Sequence, residues 1–250
     1  MGQGTRVGLL TGCVQEGLLG RVNRATERVL RANGFEVVPV EGQECCGAIH
    51  AHTGDLEGAR ALARLNVQAF EARELDIVAV NSAGCGATLK DYGHLLGNDP
   101  ELGRRAANLA EKVMDISEIL GRPGLRTGAP VPLQITYDAP CHLLHAQRIS
   151  AEPLELLDAI PGLDRRPLRK VEECCGGAGI YGITQPELGG RIGSHKVEAV
   201  LETDARVVAT GNPGCMMQIG GELRMRGMEV DVVHPVEILD ESYRRGGFYS

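Results

Sequence analysis

Eight cysteines carry most of the chemistry this sequence offers, at Cys13, Cys45, Cys46, Cys85, Cys141, Cys174, Cys175 and Cys215. Cys13 and Cys45 are separated by 31 residues and Cys46 and Cys85 by 38, while the matching gaps in the second quartet are 32 and 39. The quartets are offset by 128 to 130 positions, and their surroundings repeat: TGC and APC, CCGA and CCGG, SAGCG and NPGCM. A disulfide within either vicinal pair is disfavoured, because consecutive Cα atoms lie about 3.8 Å apart and bridged cysteines need about 4.4–6.8 Å. Four thiolates per half suit an iron–sulfur cluster or a structural zinc. Zinc usually draws on close Cys-x2–4-Cys knuckles. Here the gaps exceed 30 residues and the tight pair is vicinal, which favours a larger cluster whose separate irons take neighbouring thiolates. A zinc-stabilised scaffold remains the rival. Cysteine as a small buried hydrophobe explains one or two of the eight, not a duplicated register.

The elements that must position these thiols follow from hydrophobic patterning. Apolar runs at 6–10, 35–40 and 75–80 read as strands, with helices at 20–33 and 55–74 between them and a further helix opening at SAGCG. The second half offers strands at 133–137, 166–171, 206–210 and 229–233, with helices near 153–160, 187–202 and 215–226. Strands alternating with helices predict an α/β fold built from parallel sheets. The expected architecture is two pseudo-symmetric repeats, 1–124 and 125–250, each a small parallel sheet flanked by helices. GRPGLRTGAPVP (121–132) is the natural linker. Every cysteine then falls just past the C-terminal end of a strand, where open α/β sheets bind ligands. Gly47, Gly84, Gly176 and Gly214 adjoin the cysteines, at turns where backbone N–H groups can reach cluster sulfurs.

Other residues carry weaker signals. His142 follows Cys141, and His50, His52 and His145 lie near the cysteine loops, where surface placement competes with tuning or proton relay. Asp138 is expected to cap the amides of the turn before Cys141. No Ser-His-Asp set, paired acid and base, or phosphate loop is present, and GGAG (176–179) and GLLG (17–20) lack the strand–helix context of a nucleotide site. There is no sign of a flavin or nicotinamide site, and iron–sulfur clusters take one electron at a time, so two-electron chemistry on a substrate belongs to a partner. Formal charge is -7 and no basic cluster appears, which argues against nucleic acid as a partner. The N-terminus reads as a buried strand and no run approaches a membrane helix, so the expected location is cytoplasmic, with thiols reduced.

Together TGCVQ (11–15), QECCGA (43–48), NSAGCGATLKDYGHLL (81–96), DAPCHLLHAQ (138–147) and ECCGGAGIYGITQPEL (173–188) resemble the CCG (cysteine-rich) domain. That domain is shared by heterodisulfide reductases, lactate-utilisation protein A and glycolate oxidase iron–sulfur subunits. The resemblance runs from about Cys13 to Glu241 and is greatest to the C-terminal part of the glycolate oxidase iron–sulfur subunit. The tail 214–239 is as similar to lactate-utilisation protein A. The resemblance implies two [4Fe-4S] clusters, one on Cys13, Cys45, Cys46 and Cys85 and one on Cys141, Cys174, Cys175 and Cys215. It also implies electron transfer from a flavin-containing dehydrogenase acting on glycolate or lactate, a separate ferredoxin-like protein as a further partner, and peripheral membrane association through such partners. Two departures stand out. The heterodisulfide reductase pattern ends each copy in Cys-x-x-Cys, where this chain has Thr88 and Gln218, which weakens a thiol–disulfide reductase reading. The ferredoxin-like region of the glycolate oxidase protein has no counterpart here.

Overall fold

The computed structural model describes residues 4–121 and 124–249. The chain divides into two compact units, Met1–Arg122 and Pro123–Ser250. The predicted linker thus has its residues 122 and 123 outside the described residues.

Each unit is a four-stranded parallel sheet. In the first, β1 (Arg6–Leu9), β2 (Glu36–Val38), β3 (Ile77–Val80) and β4 (Val113–Asp115) are ordered β2-β1-β3-β4. In the second, β5 (Leu133–Tyr137), β6 (Leu163–Arg166), β7 (Val207–Ala209) and β8 (Asp231–Val233) repeat that order as β6-β5-β7-β8. The central pairs align Leu9 with Ala79 and Tyr137 with Ala209, so the sheets are equivalent residue by residue. The continuous run Ile77–Val80 is buried throughout, as a strand covered on both faces requires.

The first sheet carries α1 (Cys13–Ala32), α2 (Ala48–His52), α3 (Leu56–Glu71), α4 (Ala83–Lys90), α5 (Tyr92–Leu95), α6 (Gly103–Lys112) and α7 (Ile116–Leu120). The second carries α8 (Glu152–Asp158), α9 (Tyr181–Thr184), α10 (Pro186–Leu201), α11 (Pro213–Met225) and α12 (Pro235–Arg245), with a π-helical turn at His142–Ala146. Three differences from the expected elements have simple causes. Helix α1 begins at Cys13, because a first helical turn through VQEG joins, across a kink at Leu19, the helix that its buried face (Val22, Ala25, Val29) anchors. Strand β6 lies at Leu163–Arg166, short of the expected 166–171, since Pro167 ends the ladder. Strand β4 is hidden in the charged context of EKVMD.

Candidate metal centre

The topology brings each quartet together. Cys13 opens α1 directly after β1, Cys85 lies in the first turn of α4 after β3, and Cys45-Cys46 follow β2. Cys141, Cys215 and Cys174-Cys175 occupy the matching places after β5, β7 and β6. All eight are free. Cys13 and Cys45 sulfurs stand 3.2 Å apart, as do those of Cys175 and Cys215, far beyond the about 2.05 Å of a disulfide.

The sulfurs form the same chain of contacts twice. In the first unit the Cys46 thiol faces both Cys45 and Cys85, and Cys13 faces Cys45. In the second, Cys175 faces Cys174 and Cys215, and Cys141 faces Cys174. Donor and acceptor thiols are driven apart in acidity. The hydrogen bond from Cys46 leads the effects that lower Cys45 to about 5, and likewise lowers Cys85. Burial, then the bond to Cys45, lifts Cys13 to about 11, and the bond to Cys45 lifts Cys46. In the second unit Cys141 and then Cys175 hold Cys174 low, with Gly176 N–H and the Lys196 charge contributing. The bonds to Cys174 raise both Cys141 and Cys175, and at Cys175 the nearby Asp138 adds to the rise.

Backbone geometry supports the thiols. Gly47 and Gly176, directly after the vicinal pairs, hold left-handed conformations at φ 84° and 86°. A Cβ at Gly176 would lie 2.3 Å from the Gly189 carbonyl, and one at Gly47 3.3 Å from the Ala59 backbone. These turns aim the Ala48 N–H at the Cys46 sulfur (3.5 Å) and the Gly176 N–H at Cys174 (3.3 Å). Gly84 and Gly214 lie inside α4 and α11, so the special turn expected of all four glycines is needed at only two. In the second unit Gly177, Gly182 and Gly193 leave room into which Gln218 reaches, at the position where the reductase pattern has its final cysteine. Thr88, its counterpart, donates back to the Gly84 carbonyl at 3.0 Å.

Among the described residues, no three or more His, Cys, Asp or Glu side chains form a ready cage for a single ion. The donor set at each strand-end cluster is four thiols with N–H groups trained on sulfur. That set fits an iron–sulfur cluster, which is ligated by four cysteine thiolates and tuned by hydrogen bonds to sulfur.

The histidines divide. His142 Nδ1 is 3.7 Å from the Cys141 sulfur, and half-exposed His50 pairs with Asp55 at 2.8 Å beside the first quartet. Asp138 does not cap the turn before Cys141. It is buried in an ion pair with Lys196 at 3.0 Å and accepts the Thr210 hydroxyl at 3.0 Å. Sequence reasoning missed Lys196, Asn66 and Tyr92. A lysine on the otherwise apolar face Gly189, Gly193, Val197, Val200 of α10 was the available signal. Asn66 ties the first cysteine loop together, donating to the Cys45 carbonyl and accepting from Glu44 N–H, while the Tyr92 hydroxyl donates to the Cys46 carbonyl.

With this geometry in place, a family model for the CCG cysteine-rich domain matches residues 7–90 and 135–220. The chain belongs to the CCG cysteine-rich domain family. Its two CCG repeats are the two sheets, each match spanning one quartet. This CCG chain is 36% identical over 242 residues to the probable glycolate oxidase iron-sulfur subunit of Bacillus subtilis, covering 95% of this chain and 54% of that one. It is also 36% identical to one subunit of the fumarate reductase (CoM/CoB) of Methanothermobacter marburgensis, covering 96% and 47%. Lactate utilization protein A of Oceanobacillus iheyensis is 32% identical, with 97% and 99% covered. The chain thus spans about half the length of the first two relatives. Its fold is similar to that in the crystal structure of a hypothetical protein from Helicobacter pylori, with a TM-score of 0.71 at 9% identity, covering 96% of this chain and 49% of that one. Among the described residues no helix is long and apolar enough to cross a membrane.

Proposed function

We propose that the chain is the iron–sulfur electron-transfer subunit of a 2-hydroxy-acid dehydrogenase complex, with glycolate the first candidate substrate and lactate the second. The observation that carries this reading is the pair of equivalent four-thiol clusters at the strand ends. The relatives' names as iron–sulfur and lactate-utilisation proteins supply the substrate class.

Cys13, Cys45, Cys46 and Cys85 would hold one [4Fe-4S] cluster and Cys141, Cys174, Cys175 and Cys215 the other. Such clusters supply one-electron transfer when bound. The chain's own part is to deliver four thiolates from rigid elements, to direct the Ala48 and Gly176 N–H groups at sulfur, and to bury Cys46, Cys175 and Cys215 away from water. Gly47 and Gly176 make the turns that allow this, and Gly84 and Gly214 directly precede Cys85 and Cys215 in the helices that enter the sites. A flavin-containing partner would take the hydride and pass electrons on singly, with a separate ferredoxin-like protein as a further relay. We place the complex in the cytoplasm, meeting the inner face of the membrane through its partners.

The test is anaerobic mixing of the purified chain with a flavin-containing 2-hydroxy-acid dehydrogenase and glycolate or lactate. Bleaching of the visible iron–sulfur absorbance that needs both flavoprotein and hydroxy acid is the expected result. A colourless chain that dithionite leaves unchanged and that carries zinc without acid-labile sulfide would establish the zinc scaffold instead. Turnover of a disulfide substrate without any flavoprotein would establish a reductase.

A further inference from the structure

The two cysteine sites are built alike, yet what lies behind them differs in charge. Leu10 and Asp138 are equivalent, each sending its N–H to the equivalent alanine carbonyl of the next strand (Ala79 and Ala209) at 2.9 Å. Val80 and Thr210 follow those alanines. The buried faces of α3 and α10 superimpose as Ala59, Ala63, Asn66, Val67, Phe70 on Gly189, Gly193, Lys196, Val197, Val200. The contact of Gly47 with Ala59 and of Gly176 with Gly189 fixes the same register independently. Asn66 is therefore the counterpart of Lys196. Behind the first quartet stand Leu10, Val80 and the neutral amide of Asn66, all in the interior. Behind the second stand a carboxylate, a hydroxyl and an ammonium.

The second set is closed on itself and sealed from solvent. The side chains of Lys196 and Asp138 are 1% and 2% exposed. Beyond Asp138, Lys196 Nζ donates to the carbonyls of Lys170 and Val171, in the loop leading to Cys174, each at 3.2 Å. Asp138 lies three residues before Cys141, and its partner Thr210 five before Cys215. The pair thus touches all three segments that deliver the quartet. A buried ion pair seldom repays its desolvation as stability alone. Its field, little screened in the interior, acts on whatever charge changes at the neighbouring sulfurs.

We propose that Lys196 and Asp138 are positioning residues that set the reduction potential of the second site apart from that of the first. This rests on the reading that both quartets hold iron–sulfur clusters, whose potentials respond to nearby charge and hydrogen bonding. The two ends of the pair work in opposite senses. The ammonium favours the more negative, reduced state, and the carboxylate disfavours it. The first site is backed by the uncharged Leu10, Val80 and Asn66, and the charged pair beside it, His50–Asp55, is half-exposed and screened by solvent. One electron entering the chain therefore meets two unequal stops.

The test is a potentiometric titration of the holoprotein followed by electron paramagnetic resonance, after iron and acid-labile sulfide have been counted on every variant. Lys196→Met should lower the midpoint of the second site and Asp138→Asn should raise it, each leaving the first midpoint in place. Should either single variant fail to fold, the double replacement by the first repeat's residues, Asp138→Leu with Lys196→Asn, removes both charges. It should move the second midpoint alone and bring the two spectra closer together. Single variants that shift the midpoint in the same direction, or a double variant that leaves it unmoved, would overturn the assignment and make the pair purely structural. Wild-type protein without sulfide would instead overturn the cluster reading on which the assignment depends.

Discussion

At the scale of single residues, ionisation and exposure compete, and the sulfur contacts decide which wins. Cys13 is exposed and Cys45 only half-exposed. Burial and its bond to Cys45 hold Cys13 at about 11, whereas Cys46 holds Cys45 at about 5. The thiolate is the nucleophile, and at pH 7 a thiol at about 11 is ionised about once in 10^4. In the metal-free, reduced chain iodoacetamide should therefore label Cys45 before Cys13, as peptide mass spectrometry would read. Labelling that follows exposure would contradict the contact pattern. Asp115 gives a second case. It caps α7, accepting from Ser117 N–H at 2.9 Å, and complete burial lifts its carboxyl to about 6. Folding thus strengthens its grip on a proton, so its contribution to stability is present below about pH 4 and is lost as pH rises through about 6. Asp115→Asn keeps the capping oxygen and should flatten that part of the urea-midpoint profile. An unchanged slope would show that the carboxyl binds its proton no more tightly in the folded chain than in the unfolded one.

At the scale of elements, the glycines separate into those a turn needs and those it does not. Gly176 combines a left-handed backbone with a 2.3 Å approach to Gly189, so Gly176→Ala must displace α10 or the CCG loop. It should cost the second site its iron, halving the iron content while leaving the first site filled. Gly190, one residue from that contact, has open space around it inside α10. Gly190→Ala should stabilise the second unit by about 0.5–1 kcal/mol, read from a urea midpoint. Most strands and helices around the cysteines are legible in the sequence because each is an apolar run or an amphipathic repeat ended by Gly or Pro, whereas β6, the polar LDRR before Pro167, offers no such run and is displaced from its expected place. Strand β4, three residues in a charged setting, gives no period to detect. The start of α1 escapes the pattern because Gly17 and Gly20 mask a helix that tertiary contacts enforce. Cysteine spacing exposes the two sites at once. The Asp138–Lys196 pair stays hidden because its members lie 58 positions apart and only folding brings their charges together.

At the scale of the whole molecule, duplication explains the fold and divergence explains why the halves differ. The same strand order and the same sulfur chain recur, so loss of one quartet should spare the other. Stability need not be shared evenly. Lys196→Met leaves a buried carboxylate unpaired, and removing one partner of such a pair costs about 3–5 kcal/mol. Hydrogen exchange should show that loss in the second unit, with β1 and β3 protected as before. The most direct test of the central claim is iron and acid-labile sulfide per chain after anaerobic purification. Two four-iron clusters predict about eight of each, falling to about four in Cys46→Ala or Cys175→Ala and to none in the double variant. Zinc without sulfide, or iron content indifferent to both substitutions, would contradict it.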